Sequence, residues 1–333
     1  MLWRSRFVEL LPGLAAAVGL SLAAWVVEYA EAGMLEATYV DALVLAIVGG
    51  TLLHTLAGLH PRLVAGVRFA SKTVLEVAIV LLGGTISAEA VMASGFWMIV
   101  AVALVVILAL ALSYGMARLL GLDERLATLV ACGNSICGNS AIMATAPVIE
   151  APAGDVAASI AFTAALGVVV VVLLPLAFGP LGLSQWQFGV VAGLSVYAVP
   201  QVLAATAPVG AMAAQVATLV KLMRVLMLGP VVLLVGLRRG RGARLPLATL
   251  VPWFIVGFLA MMVARSAGAL PEAVVPALRS ASGGLTLVSM AALGLSVDLR
   301  SVLASGGRVL LAGMLSIGVL VALALAAALL LAN

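Results

Sequence analysis

Two copies of one short motif follow each other near the middle of the chain, in the sequence CGNSICGNS. Its small and polar residues are Gly133, Asn134, Ser135, Cys137, Gly138, Asn139 and Ser140. Apolar sequence flanks the motif on both sides. At membrane depth, backbone freed from helical hydrogen bonding is tolerated only where it is buried in protein or lines a polar cavity. The motif therefore predicts a broken helix whose amide, hydroxyl and backbone N–H donors suit an oxyanion.

Three ionisable side chains interrupt other apolar stretches. Glu76 lies in KTVLEVAIVLLGG, whereas Lys221 and Arg224 lie three residues apart in VATLVKLMRVLML and share a helix face. Each would cost roughly 2.5–3.5 kcal/mol at a lipid-facing helix centre, so all three are expected to face the protein interior. One carboxylate neutralises only one cation, which favours an anionic substrate at Lys221 or Arg224. A buried ion pair between Glu76 and these cations is the structural alternative.

Three further residues are candidates for the same site. Gln201 follows a proline that interrupts helical hydrogen bonding, and it is expected either to line the cavity or to be a satisfied polar residue at the kink. Gly283 and Gly284 form a second interruption with Ser282. No metal site is predicted, because Cys132 and Cys137 lack accompanying histidines or carboxylates.

Composition places the chain among polytopic membrane proteins. Of its 333 residues, 65% are hydrophobic and 9% are charged, whereas soluble domains carry roughly 25% charged residues. The net charge of +4 gives no support to nucleic-acid binding. The expected partners are the lipid bilayer and a small anionic solute, with a homodimer left open. No cofactor is expected, and Na⁺ or H⁺ are left open as coupling ions.

Apolar runs near 20 residues, the length that crosses a bilayer as a helix, predict an all-α protein of eleven transmembrane spans. Their approximate bounds are 8–28, 38–58, 64–86, 96–118, 123–149, 156–179, 184–205, 209–237, 246–267, 272–299 and 305–331. Lysine and arginine collect in alternate connections, such as LRRGRGARLP, which predicts a cytoplasmic amino terminus. The same alternation puts Glu150 and Asp155 across the membrane from Arg118 and Arg125.

Two broken spans, 123–149 and 272–299, suggest internal symmetry. Each is the fourth span in a run of five, and five crossings reverse the direction, so the runs are predicted to be inverted repeats. The predicted organisation is an extra amino-terminal helix (1–30), a first repeat (37–180) and a second repeat (184–331). Paired broken helices point to a transporter site, whereas glycines that only allow close helix packing are the plainer alternative.

Four stretches resemble the signature sequences of a known family: SICGNSAIMATAPVI (135–149), FGVVAGLSVYAVPQVLAA (188–205), ATLVKLMRVLMLGPVVLL (217–234) and VPWFIVGFL (251–259). They are similar to the sulfate exporter family of UPF0324-type membrane proteins, which is grouped with bile-acid:sodium symporters and cation/proton antiporters. The resemblance implies inverted five-helix repeats with crossing discontinuous helices, and secondary transport of sulfate or a related sulfur oxyanion. Asn139 departs from the family pattern, which commonly has a small residue there. Tyr197-Ala198-Val199 stands where an acid or histidine is frequent.

The sequence thus predicts a multi-pass transporter of the bacterial cytoplasmic (inner) membrane that moves a small anion by alternating access. Sulfate, sulfite and organosulfonates are the candidate solutes. A Na⁺- or H⁺-coupled organic-anion symporter is the main alternative, and an anion channel is a weaker one because no long polar stripe is present. An enzyme is not expected, because the spans lack paired carboxylates or a nucleophile with its base.

Overall fold

The computed structural model describes residues 2–35, 41–85, 95–238, 253–300 and 307–331. Within these ranges the chain is helical and contains no strand. The first helices are α1 (Leu2–Leu35), α2 (Ala42–Ala57), α3 (Pro61–Phe69), α4 (Leu75–Gly83), α5 (Gly95–Leu119), α6 (Glu124–Cys132), α7 (Asn139–Thr145) and α8 (Ala153–Leu176). The others are α9 (Phe178–Leu181), α10 (Gln185–Ser195), α11 (Val199–Thr206), α12 (Ala211–Leu226), α13 (Leu228–Arg238), α14 (Trp253–Ser266), α15 (Val275–Leu295) and α16 (Gly307–Leu331).

Several of these helices have the length and composition of membrane spans. Among the described residues, six segments qualify: Glu9–Glu31, Gly95–Leu119, Ala153–Leu176, Ala211–Leu237, Glu272–Leu295 and Gly307–Leu331. Two shorter apolar helices, α2 and α14, join them. Many large apolar side chains on these helices are exposed, as expected for surfaces in contact with lipid. The predicted class, an all-helical polytopic membrane protein, is confirmed.

The chain divides into two compact units, and each draws on both ends of the sequence. Unit 1 contains Met1–Ala90 and Phe254–Leu299, and unit 2 contains Val91–Trp253 and Arg300–Asn333. Glu76, Gly283 and Gly284 belong to unit 1, whereas Lys221, Arg224 and the CGNSICGNS motif belong to unit 2. The candidate site must therefore be described from unit 2.

Glycines bring the helices of unit 1 into backbone contact. A Cβ added to Gly66 of α3 would lie 2.1 Å from the Leu10 carbonyl oxygen of α1. A Cβ added to Gly294 of α15 would lie 2.3 Å from the Ile47 carbonyl oxygen of α2. A Cβ at Gly83 of α4 would lie 2.3 Å from the Phe258 carbonyl oxygen of α14. Such small residues let membrane helices approach closely enough to pack backbone against backbone.

The predicted break at residues 282–284 is wrong. Helix α15 runs without interruption from Val275 to Leu295, and Ser282 donates a hydrogen bond to the Ala78 carbonyl oxygen at 2.8 Å. A Cβ at Gly283 or Gly284 would meet nothing within 4 Å, so these glycines neither break the helix nor allow close packing. Glycine lowers helix stability by only about 1 kcal/mol, which is too little to leave backbone groups unpaired in a membrane.

The stretch 123–149 forms a helical hairpin instead of a span. Helix α6 ends at Cys132, a π-helical turn follows over Gly133–Cys137, and α7 folds back along α6. A Cβ on Gly133 would lie 2.9 Å from Ile142 Cδ1, although nine residues of straight helix would separate them by about 13.5 Å. Leu129, Ile142 and Ile149 share one apolar cluster. We call this element hairpin 1 and its turn, Gly133–Gly138, tip 1.

The stretch 184–205 is also a hairpin, which we call hairpin 2. Helices α10 and α11 are separated by a non-helical turn at residues 196–198, named tip 2. A Cβ on Gly210, just beyond α11, would lie 2.6 Å from Gln185 Oε1 at the start of α10. The end of hairpin 2 therefore lies beside its beginning. Helix α12 then runs parallel to α10, with Gly189 against the carbonyl of Ala213 and Gly193 against that of Ala217.

The two hairpins approach the α12–α13 segment from opposite ends. Hairpin 2 has its open end beside Ala213, near the start of α12. Hairpin 1 packs near its open end against Val235, late in α13. Tip 1 and tip 2 therefore meet beside the middle of the 27-residue apolar segment Ala211–Leu237.

Two of the eleven predicted spans are consequently hairpins, and the predicted side of Asp155 is wrong. Because hairpin 1 returns, the charges of Asp123 and Arg125 act on the Asp155 carboxylate at the start of α8. Besides tip 1, a non-helical turn is present at tip 2 in the seventh predicted span, whereas α15 in the tenth is continuous. The repeat boundaries 37–180 and 184–331 stay a prediction.

Candidate functional site

Tip 1 is built by a glycine in a conformation that other residues rarely adopt. Gly138 has φ +67° and ψ −125° and lies between the π-helical turn and α7. Its N–H donates to the Gly133 carbonyl oxygen at 2.8 Å. The helical hydrogen bonds that would have used the carbonyls of Asn134, Ser135 and Ile136 are lost at this turn. Tip 1 therefore presents three carbonyl oxygens that need other donors.

Lys221 and Arg224 supply those donors from α12. Lys221 Nζ donates to the Ile136 carbonyl oxygen at 2.7 Å, Arg224 Nε donates to that of Ser135 at 2.7 Å, and an Arg224 Nη donates to that of Asn134. Both side chains are fully buried. Within the described part of the chain, the hydrogen-bond acceptors of both cations are backbone carbonyls. The two cations thus replace the N–H groups that tip 1 lacks.

The same cations also hold tip 2. Lys221 Nζ and Arg224 Nη1 donate to the Val196 carbonyl oxygen at 2.9 and 3.1 Å. In a continuous helix this oxygen would accept from residue 200, but Pro200 has no N–H. The proline therefore creates the acceptor that the cations occupy. Tip 1 and tip 2 are joined through two side chains of one helix.

Hydrogen bonds between side chains also link the two tips directly. The Tyr197 hydroxyl of tip 2 donates to Asn134 Oδ1 at 2.8 Å, and Asn134 Nδ2 donates to Ser113 Oγ of α5 at 3.3 Å. The Tyr197 Cβ also lies 3.3 Å from where a Gly138 Cβ would be. Asn134 is fully buried, and both ends of its amide are in use. Its role in this structure is to connect the tips.

The accessible side of hairpin 1 carries three of the predicted residues. Cys137 and Asn139 are half-buried, and Ser140 is exposed. Ser135, in contrast, is fully buried, and its Oγ has no hydrogen-bond partner among the described residues. The thiol, the amide and the exposed hydroxyl therefore belong to the motif residues that are open to contact from outside the protein.

The remaining predicted residues lie in other settings. Gln201 is buried in α11, where its Oε1 accepts the Ala198 N–H at 3.1 Å and its amide packs on Gly167 of α8. It caps α11 at the proline, which is the alternative that the sequence had left open. Gly283 and Gly284 lie in the continuous helix α15, so the reason for placing them in a site is absent. The pairing of Glu76 with the cations stays a prediction.

Sequence reasoning missed three residues of this arrangement: Ser113, Thr163 and Tyr197. Thr163 Oγ1 of α8 donates to Asn139 Oδ1 at 2.7 Å. Single polar side chains within long apolar helices carry no local signal of their partners. Tyr197 could have been found, because it lies three residues before a proline in a stretch that already looked interrupted.

The charges at the tips leave a positive excess. The carboxyl-terminal ends of α10 and of the π-helical turn each correspond to roughly half a negative charge, and the amino-terminal ends of α11 and α7 at the same tips each correspond to roughly half a positive charge. These four helix ends nearly cancel, so Lys221 and Arg224 leave the centre of the apolar segment with a positive excess. An arrangement of this kind attracts an anion and repels a cation.

The two thiols should differ sharply in reactivity. Cys137 is half-buried at tip 1, whereas Cys132 is fully buried at the end of α6. We expect N-ethylmaleimide to modify Cys137 at least roughly tenfold faster than Cys132 in the folded protein, because thiol reactivity requires access. Mass spectrometry of Cys132→Ala and Cys137→Ala variants measures both rates, with protein unfolded in dodecyl sulfate as the control. Equal modification rates of the two thiols in the folded variants would contradict the greater exposure of Cys137.

The fold and the paired tips define a multi-pass membrane protein with two opposed helical hairpins. The family described as "Conserved hypothetical protein 698" matches residues 12–313. No solved structure matches the chain. Because this match covers most of the sequence, the chain belongs to that family.

Relatives carry the name UPF0324 membrane protein. One from Brucella melitensis is 54% identical over 94% of this chain and 88% of its own length. One from Agrobacterium fabrum is 52% identical over 92% of this chain and 89% of its own length. A more distant one from Bacillus cereus is 34% identical over 82% of each chain. These names support a membrane protein and state no substrate.

Proposed function

We propose that the protein is a secondary active transporter of a small anion. The candidates are sulfate, sulfite and related sulfur oxyanions or organosulfonates, moved by alternating access across the cytoplasmic membrane, with the amino terminus in the cytoplasm. One observation supports the proposal above the others. The tips of two opposed hairpins meet beside two fully buried cations, halfway along the apolar segment Ala211–Leu237. Interrupted helices that end at mid-membrane are the usual construction of transporter binding sites.

The chemistry of the tips favours an anion as the solute. Lys221 and Arg224 hold tip carbonyls, so their part in binding is the positive potential that they create. The direct donors are the Asn139 amide and the Ser140 hydroxyl on the accessible side of hairpin 1. The described hydrogen bonds use two of the three N–H groups of Lys221 and three of the five of Arg224, which leaves further donors behind the tips.

Flux measurements in proteoliposomes test this proposal. We expect saturable uptake of labelled sulfate or sulfite, accelerated when the same anion is preloaded inside, because a carrier exchanges faster than it returns empty. Imposed Na⁺ and H⁺ gradients would identify a coupling ion. Uptake no faster than in empty liposomes for sulfate, sulfite, methanesulfonate and small carboxylates would refute the proposal. Conductance without acceleration by the preloaded anion would instead indicate a channel.

A further inference from the structure

The two asparagines of the tandem motif differ in what they offer a ligand. Asn134 has its Oδ1 bonded to Tyr197 and its Nδ2 bonded to Ser113, and it is fully buried. Asn139 is half-buried, and its Oδ1 accepts a hydrogen bond from Thr163. Among the residues that the structure describes, none accepts a hydrogen bond from Asn139 Nδ2. Asn139 is thus only partly buried and retains two N–H donors.

The orientation of the Asn139 amide depends on one hydrogen atom. A threonine hydroxyl donates once, and Thr163 Oγ1 lies 2.7 Å from Asn139 Oδ1 and 3.0 Å from the carbonyl oxygens of both Ser159 and Ile160. When the hydroxyl donates to Asn139 Oδ1, the amide directs its NH₂ group away from Thr163. If the hydroxyl donated to its own helix instead, it would accept from Asn139 Nδ2, and the amide would turn its carbonyl outwards.

These two orientations select solutes of opposite character. An outward NH₂ group donates hydrogen bonds to oxyanions, whereas an outward carbonyl oxygen coordinates Na⁺ or accepts from cationic groups. The 2.7 Å contact is the shortest of the three available to Thr163. Thr163 is itself buried and held by its methyl group, which lies 3.3 Å from the Cβ position of Gly133.

We propose that Thr163 is a specificity-determining positioning residue, which fixes Asn139 with its NH₂ group towards the solute and so makes tip 1 a receptor for oxyanions. This inference rests on the proposed function. Thr163 does not touch the solute and acts through Asn139. The two asparagines of the tandem motif therefore have different roles. Asn134 connects tip 1 to tip 2, and Asn139 selects the solute by its charge.

Two variants of Thr163 separate the hydroxyl from the methyl group. Thr163→Val keeps the shape against Gly133 and removes the donor, and Thr163→Ser keeps the donor and removes the methyl group. For sulfate flux in proteoliposomes we expect Thr163→Val to raise KM about five- to thirtyfold, because an oriented hydrogen bond to a charged ligand is lost. Maximal flux should stay within roughly twofold, since the hairpins and their cations are intact. Thr163→Ser should restore most of the affinity.

A ligand-free measurement tests the hydrogen bond by itself. The changes in melting temperature of Thr163→Val and Asn139→Leu should not add up in the double variant. Either single substitution already breaks the Thr163–Asn139 hydrogen bond, so the second one has no such bond left to remove. Additive effects would overturn the inference. So would an unchanged KM in Thr163→Val alongside normal wild-type uptake, and this result would leave the transporter proposal standing. Absence of wild-type sulfate, sulfite and methanesulfonate uptake would overturn the transporter proposal and this inference together.

Discussion

An Arg224→Met variant will unfold far more readily than the wild-type protein. The substitution removes three hydrogen bonds and leaves the Asn134 and Ser135 carbonyls of tip 1 without donors in a fully buried setting. A buried carbonyl left without a donor costs roughly 1–3 kcal/mol, so the two together cost about 2–6 kcal/mol. Tryptophan fluorescence during thermal unfolding in detergent measures the loss. We also expect poor accumulation of the variant in membranes.

A second arginine provides the matched control. Arg265 donates to Glu272 at 2.7 Å, but the two side chains are 21% and 83% exposed. Arg265→Met should therefore change stability by roughly 0–1 kcal/mol. If Arg224→Met were no more harmful than Arg265→Met, the tips would not depend on the buried cations, and the description of the site would be wrong.

A Gly138→Ala variant should lose transport and part of its stability together. The φ of +67° with ψ of −125° is open to glycine and strained for alanine, at a cost of roughly 1–3 kcal/mol. The new methyl group would also lie 3.3 Å from Tyr197 Cβ, where tip 1 meets tip 2. Relief of that strain displaces the turn that presents Asn139 and Ser140. Sulfate uptake and melting temperature measure the two effects.

Glycines of α15 give the opposite expectation for the same substitution. Gly283 is exposed in a continuous helix, with open space at its Cβ position. Gly283→Ala should raise stability by roughly 0.5–1 kcal/mol, because alanine restricts the unfolded chain and favours the helix. A loss of stability in Gly283→Ala, or none in Gly138→Ala, would contradict the assignment of the break to tip 1.

The sequence was sufficient to locate tip 1 and the buried cations. Glycine, asparagine and serine in an apolar setting predicted an interruption at the residues where helix α6 ends. The cost of a charge in lipid placed Lys221 and Arg224 in the interior. Both inferences depend on the residue itself and its immediate neighbours, which is the information that one sequence contains.

The sequence could not predict the direction of the chain after the break. Helices α6 and α7 have nine and seven residues, and together they could cross a bilayer or enter and return. Contact between Gly133 and Ile142 decides between these paths, and such contacts are not visible in hydropathy. The partners of Lys221 and Arg224 could not be predicted either, because backbone carbonyls have no sequence signature.

The error at residues 282–284 has a different origin. Two adjacent glycines resemble a break, but a membrane helix keeps its hydrogen bonds unless something removes a donor or fixes an incompatible backbone angle. Pro200 removes a donor, and it marks the turn at tip 2. The proline was therefore the stronger signal, and the glycine pair was the weaker one.

The distance along the chain between hairpin 1 and its cations has a consequence for biosynthesis. Lys221 follows Ile136 by 85 residues, and Arg224 follows Ser135 by 89. At about 5–20 residues per second, a ribosome needs roughly 4–18 s to make the intervening chain. During that interval the nascent hairpin has bare carbonyls and must stay near the translocon or at the headgroup layer. Chains truncated before Lys221 should accordingly be recognised by membrane quality-control proteases.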